Sequence, residues 1–358
     1  MTMPTGTIVL TGANGGLGTV LASNIIDAKD YHGIYTVRDV SSDTVLSSIL
    51  RRNAVRPTTA GDQQPVHEMV ALDLCKPSSV REAAAAINTK VQSGAMPRIQ
   101  ALILNAGLRE AHGQTWTDEG LDTTFTSNYL GHWLLTLLLL RSMDKESGRI
   151  VVIGGAVHDP LDPCNSINRA FVEDEWKQIL VDASSETVDA IAKGEWSASP
   201  ANSANDPRGL CGIRRYGAAK LCLVMMIIEL QNRLNRDPDI SRIAILGVDP
   251  GIMPTHITVG DHGWLVKSII TFVMRILAWK NPDGLMRTPQ KSASDVLAAA
   301  LSVDPPIGST PKSVYLNGSQ PKPVSGEAQD DEKRAAVWRA SVKYTNLKDG
   351  ETVLVDWA

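Results

Sequence analysis

No run of apolar residues in the 358-residue sequence is long enough to cross a bilayer, which takes about 20 in a row. Basic charge is not in excess: 35 Lys and Arg stand against 39 Asp and Glu, a formal net charge of -4. A nucleic-acid binder would need a basic face to meet phosphates, so that class is set aside. Cysteine is scarce. Cys75, Cys164, Cys211 and Cys222 have no metal-ligand spacing, read as reduced thiols of an intracellular protein, and raise no expectation of a metal site. The opening "MTMPTGTIVLTG" lacks the basic and apolar regions of a signal peptide, so the expected setting is cytoplasmic. No internal repeat is visible. What is left, 43% hydrophobic and 21% charged residues, is the composition of a globular protein.

The residues that are present alternate between two periods. "TIVLTGANGG" is a β-branched run ending in glycines, and "LGTVLASNIIDA" follows with apolar residues at helical spacing. "GIYTVRDV" and "HEMVALDL" read as strands, "VREAAAAINTKV" as an alanine-rich helix, and "IQALILNAG" as a strand buried on both faces. A helix around "FTSNYLGHWLLTLLLLRSM", the strand "RIVVIGG", the helix "YGAAKLCLVMMIIELQNRL" and the strand "RIAILGVDPG" continue the pattern, with "SVYLNG" as a last strand. Alternating strands and helices predict a doubly wound α/β domain with a parallel sheet and ligands at its carboxyl edge. Residues 41–64 form an enlarged polar link, and 156–212 a long insertion rich in Asp, Ser, Asn and Pro. Residues 1–318 make the single domain; 319–358 extend it and close with a helix near "DEKRAAVWRASVKY".

"TGANGGLG" sets Gly12, Gly16 and Gly18, with Asn14 and Leu17 between them, at the first strand-to-helix junction. Glycine there lets phosphate oxygens approach the backbone, and the helix N-terminus adds free N–H groups and a positive dipole end. Arg38 ends the second strand, where the adenosine ribose of a dinucleotide lies. A guanidinium there favours the 2′-phosphate of NADP, against a solvated loop arginine as the plainer reading. Asp39 beside it pulls toward NAD. Asp73, with Leu74 in "ALDL", meets the adenine edge or caps a helix.

These motifs occur in one order: "TGANGGLG", "LDL", "NAG" at Asn105, Ala106 and Gly107, "SNYLGHWLLT" with Asn128, "YGAAK" with Tyr216 and Lys220, and "DPGIMPT" with Pro250, Gly251 and Thr255. The ordered set resembles the short-chain dehydrogenase/reductase superfamily, over about the first 255 residues, and implies a Rossmann-type fold. "RD" after the second strand, "NYLGHWLLT" and the tail are most similar to the branch of retinol dehydrogenases and light-dependent protochlorophyllide reductases. The resemblance implies Tyr216 as general acid/base and Lys220 on the nicotinamide ribose. It also implies that Asn128 anchors a relay water and Thr255 binds the carboxamide, with NADP(H) as cofactor. A lysine four residues along a helix from a tyrosine also favours the phenolate by its charge.

One element of the pattern is absent. The family's serine, which steadies the substrate oxygen, falls on Gly155 in "RIVVIGGAVH", and Gly154 beside it has no hydroxyl either. Losing one preorganised donor costs about 10²–10³ in rate. Three readings stand: a donor from the insertion, such as His158, Ser166 or Ser203, replaces it and Gly155 and His158 line the substrate pocket; the substrate does not need it; or the enzyme has turned to isomerisation, dehydration or cyclisation. A silent NADP-binding regulator is the remaining alternative. The insertion is expected to wall the pocket. "HGWLVKSIITFVMRILAW" lies in a lid at about 256–290 over a small hydrophobic substrate, or meets a membrane peripherally through 261–279. The resemblance also implies a homodimer through the helices at Trp133 and Tyr216.

Overall fold

Ile8, Val9 and Leu10 are fully buried, as strand residues covered on both faces must be, and they form the centre of β1 (Gly6–Thr11). The computed structural model describes residues 5–41, 44–54, 64–253 and 264–358. In it β1 is followed by β2 (Tyr31–Val37), β3 (His67–Ala71), β4 (Ile99–Leu104), β5 (Arg149–Ile153), β6 (Ala244–Asp249), β7 (Tyr315–Asn317) and β8 (Gln320–Pro321). They make one sheet in the order β3-β2-β1-β4-β5-β6-β7-β8. Every neighbouring pair is parallel except β7 with β8. The order reverses beside β1, and this switch point opens the crevice at the carboxyl edge.

Helices cover both faces. On one side α1 (Gly16–Ala28), α2 (Thr44–Ala54, inside the link read as irregular) and α9 (Pro289–Leu301) pack through Leu21, Ile25, Leu46 and Val296 onto Ile8, Leu10 and Tyr35. On the other, α3 (Pro77–Gln92), α5 (Gly131–Leu139) and the long α7 (Leu210–Arg236) bury Ile87, Trp133 and Leu223 against Val9, Leu102 and Ile150. Ahead of α5 the chain makes a short turn, α4 (Thr123–Phe125), and then one π-helical turn, Thr126–Leu130.

The insertion and the tail share this second core. Phe171 is buried, and Ile179, Leu180 and Val188 of the insertion, the last on α6 (Ser185–Ala192), lie in the same apolar cluster as Trp338 of α11 (Asp331–Thr345). Trp338 meets Trp133 edge to face at 5.0 Å, and the Arg233 guanidinium lies 4.4 Å from the Trp338 ring. Glu327, on the short α10 (Gly326–Gln329), accepts the N–H groups of Ile179 and Leu180 at 3.0 and 2.7 Å. The faces of α5 and α7 through which a homodimer is expected are thus partly taken up by the chain's own α11.

A buried ion pair of the core reaches the insertion through its arginine. Arg215 Nε lies 3.1 Å from Asp122 Oδ2, with both side chains almost wholly buried. The guanidinium also donates to Ser197 O, Ser199 Oγ and Gly113 O, while Asp122 accepts from Phe125 N and Gln114 Nε2. Burial raises the Asp122 carboxyl pKa, and Arg215 is among the groups that pull it back. Arg215→Met strands that carboxylate and is expected to cost about 3–5 kcal/mol in urea denaturation. A loss below about 1 kcal/mol would show that the pair does not hold the insertion.

Candidate active site

The first βα turn closes when Gly15 N–H donates to Gly12 O at 3.1 Å. Gly12 has φ +64°, and a Cβ there would come within 2.7 Å of Ala106 Cα; one on Gly18 would stand 2.1 Å from Gly12 O. Only glycine permits this approach of loop, helix and neighbouring strand end. Helix α1 begins after Gly15 with no side-chain cap and no acidic residue in its first turn. Its leading N–H groups therefore face the crevice with the positive dipole end unopposed, a fit for a pyrophosphate.

A cavity of about 570 Å³ runs past this turn along the carboxyl edge. In the order of the strands, Asp73 and Leu74 after β3 and Arg38 after β2 line one side of it, Gly12, Asn14, Gly16, Leu17 and Gly18 after β1 come next, then Asn105, Ala106 and Gly107 after β4, with Tyr216, Lys220 and Pro250 toward β5 and β6. Arg38 is exposed at the rim. The Asp39 carboxylate accepts from Ser41 N and Oγ at 2.8 and 2.6 Å, so the acid is engaged in a turn, while Arg38 lines the cavity. Asp73 Oδ1 accepts Cys75 N–H at 3.0 Å, which makes it a turn former before α3 as well as part of the wall. Gly251 (φ +73°) donates its N–H to Asp249 Oδ1 and is outside the described lining; Thr255 lies outside the described residues.

The ends of β1 and β4 are tied together behind the cavity. Thr11 Oγ1 accepts the N–H groups of Asn105 and Ala106 at 2.9 and 3.0 Å. Asn105 Nδ2 returns the tie by donating to Thr11 O and Gly12 O. Fully buried His132 completes it: Nδ1 is 3.2 Å from Asn128 O and Nε2 3.0 Å from Thr11 Oγ1. A carbonyl can only accept, so Nδ1 carries the proton and Nε2 accepts from the Thr11 hydroxyl. Burial pushes the His132 pKa down to about 3.

Asn128, on the π-helical turn, is fully buried. Its Nδ2 donates to Leu108 O (2.6 Å) and Thr124 O (2.7 Å), and its Oδ1 accepts Leu108 N–H at 3.2 Å. The side chain is spent on fixing the loop after "NAG", and its backbone carbonyl on His132. Anchoring this loop is the role that the described contacts give Asn128.

At the far end Tyr216, partly exposed on α7, and Lys220, buried, meet the cavity. Lys220 Nζ lies 5.5 Å from the Tyr216 ring centroid and donates to Ile153 O at 2.7 Å. Burial raises the Tyr216 pKa to about 12, Arg109 opposing and Asp249 assisting. Burial lowers that of Lys220 to about 8, against Asp249. Arg109 is the charge that opposes the rise in the Tyr216 pKa, while the Lys220 ammonium is drawn to the carbonyl at the end of β5.

The two glycines at that strand end resist a serine in different ways, Gly154 by crowding and Gly155, where a Cβ would meet only Val157 Cγ2 at 3.8 Å, by its backbone. A Cβ on Gly154 would lie 2.2 Å from the Tyr315 hydroxyl. Gly155 has φ +157° and ψ 150°, a region nearly reserved for glycine, and donates its N–H to Tyr315 Oη at 2.9 Å. The expected replacements are elsewhere. His158 is buried with Nδ1 2.8 Å from Gly155 O and Nε2 accepting Ser325 N–H, and its ring packs against Tyr315 at 5.2 Å. Ser166 is exposed and donates to Pro163 O, and Ser203 is exposed. No residue of 156–212 is in the described lining, nor are Gly155 and His158. The insertion packs against α7 and α11 because its apolar residues find their partners there. Of the expected lid, 254–263 lie outside the described residues; α8 (Trp264–Lys280) leaves Phe272, Val273, Ile276, Leu277 and Trp279 exposed. Among the described residues no helix is long and apolar enough to cross a membrane, and no cluster is suited to a metal.

Two residues were missed from sequence. Arg109 follows "NAGL" with nothing local to mark it. Tyr315 reaches Gly154 only because β7 pairs with β6. The run "NAGLRE" put a charge two residues past a ligand loop, and that was the available signal for the first.

Residues 6–158 match a family model described as short chain dehydrogenase. The short-chain dehydrogenase iccH of Talaromyces variabilis is 41% identical over 376 aligned positions, covering 98% of this chain and 99% of that one. Mouse (Mus musculus) retinol dehydrogenase 13 is 25% identical, covering 97% of this chain and 85% of its own. Among solved structures, an NADPH-bound carbonyl reductase from chicken fatty liver has the same fold, with a TM-score of 0.56 at 15% identity over 90% of this chain and 100% of the other.

The His132 tie predicts an acid response. The unfolded histidine takes up its proton near 6.5 and the folded one only near 3, so below about pH 6.5 the unfolded chain binds more protons. Stability present above that point is lost as pH falls, by up to about 1.4 kcal/mol per unit on this account. Urea denaturation at pH 7 and pH 5 should show a smaller pH dependence in His132→Gln than in the parent chain; equal slopes would contradict a neutral His132.

Proposed function

Because the chain belongs to the short-chain dehydrogenase/reductase family, we propose that it is an NADPH-dependent reductase of a hydrophobic carbonyl or activated double-bond substrate, with Tyr216 as general acid. One observation carries the reading: the uncapped start of α1, Arg38 and the Tyr216–Lys220 pair all line the same cavity. The carbonyl reductase of the same fold is NADPH-bound, which agrees with it.

The N–H groups that open α1 would hold the phosphates, and Arg38 the 2′-phosphate. When bound, NADPH supplies a hydride. Tyr216, whose raised pKa keeps it protonated near neutral pH, gives its proton to the alkoxide. Lys220, with a pKa near 8, is mostly cationic at pH 7 and steadies the phenolate left behind. The exposed apolar stripe of α8 supports a lid over a hydrophobic substrate.

The want of a hydroxyl at Gly154 and Gly155 favours a second reading, in which Tyr216 moves a proton in an isomerisation or cyclisation and the nucleotide is not consumed. Calorimetric titration should find NADPH bound at least about tenfold tighter than NADH, with Arg38→Ala narrowing the gap. Tyr216→Phe should lower turnover by about 10²–10⁴. Product formed without matching NADPH oxidation would select the second reading, and full activity of Tyr216→Phe would overturn both.

A further inference from the structure

Arg109 puts a strong charge at the chemical end of the cavity, and the reaction above gives it no partner. It lines the cavity with Tyr216, Lys220 and Gly154. Its Nε is buried without a hydrogen-bond partner, and among the described residues no carboxylate pairs with it. Glu110 beside it is committed to Thr115, accepting its N–H at 3.2 Å and its hydroxyl at 2.6 Å. The residue before it is clamped: both the N–H and the C=O of Leu108 are held by the Asn128 side chain. The described residues thus fix an arginine in a pocket wall and give it no counter-charge.

A guanidinium partly removed from water and unpaired costs free energy that a bound anion returns. The cofactor phosphates are provided for elsewhere along the edge, by α1 and Arg38. Arg109 lines the cavity together with the Tyr216 phenol, the reacting group, and its charge acts on that phenol. A planar fork of donors suits a carboxylate or an enolate, met by two hydrogen bonds.

We propose that Arg109 is the specificity-determining residue of the site and pairs with an anionic oxygen on the substrate, which is an acidic carbonyl compound such as a keto acid or the enolate of a 1,3-dicarbonyl. The inference rests on the reductase reading and narrows its substrate class. It also gives a reason for the lost serine: a substrate gripped by its charge depends less on one hydroxyl for orientation.

The test uses two probes that differ in charge alone around the same aryl ketone, benzoylformate and its methyl ester. Binding to the full-length protein loaded with NADP⁺ is measured by calorimetry, and NADPH oxidation with each probe is followed separately. The acid should bind at least tenfold tighter than the ester. Arg109→Gln should bring that ratio close to one, and Arg109→Lys should keep part of it, with circular dichroism reporting that each variant is folded. A preference for the ester, binding of neither probe, or a ratio untouched by Arg109→Gln overturns the proposal. So does a tenfold loss of NADPH affinity in Arg109→Gln with the probe ratio intact, which would assign the arginine to the cofactor. Acid bound through Arg109 without NADPH oxidation upholds the pairing and removes the reductase reading; reduction of the ester alone does the reverse.

Discussion

Two strand ends held side by side carry the rest of the molecule's chemistry. A parallel sheet leaves its carboxyl edge as a row of loops with no ladder to fix them, so any site built there needs ties of its own. Here the ties are Thr11 and Asn105, each bonding to the other's loop, with His132 locking the threonine from behind. The glycine turn, the "NAG" loop and the π-helical turn meet at that point. Gly12 can touch Ala106, and Asn128 can hold Leu108, only while the two ends keep their register. The neutral histidine belongs to the same constraint, since a charged ring there would have two donors and would compete with Thr11 for its role.

What could be read from sequence was what is local. The strands of the central sheet and the helices between them follow from periodicity, and the glycine loop and the Tyr216–Lys220 spacing sit within single turns of chain. Side chains whose roles depend on a distant partner could not be read. His158 sits three residues past a site glycine, yet its ring is taken by Ser325 and Tyr315, both more than 150 residues away. The insertion is polar in composition, but Phe171, Ile179 and Val188 are enough to turn it onto α7 and α11, away from the cavity. Lys220 shows the same division: its spacing from Tyr216 is local, while its hydrogen bond to the carbonyl of Ile153 comes from a strand 67 residues away.

The tail is a structural member of the domain. Trp338 completes the packing around Trp133, Tyr129 Oη meets Ser341 Oγ at 2.7 Å, and Arg81 pairs with Glu351 at 2.6 Å. The helix that carries Tyr216 and the one that follows the asparagine turn are therefore braced from outside by residues 319–358. Large aromatic burial of this kind is worth more than the surface ion pairs around it, so the extension stiffens the site without touching it.

The two glycines at the end of β5 narrow what mutation can supply there. Tyr315 occupies the volume a side chain on Gly154 would need, and its hydroxyl holds the peptide of Gly155 in a geometry that other residues rarely adopt. A serine at 154 would need a smaller residue at 315 as well, and one at 155 would have the space but not the backbone. Paired changes are rarer than single ones, so new polar groups for this pocket would arise more readily elsewhere on its wall than at the end of this strand.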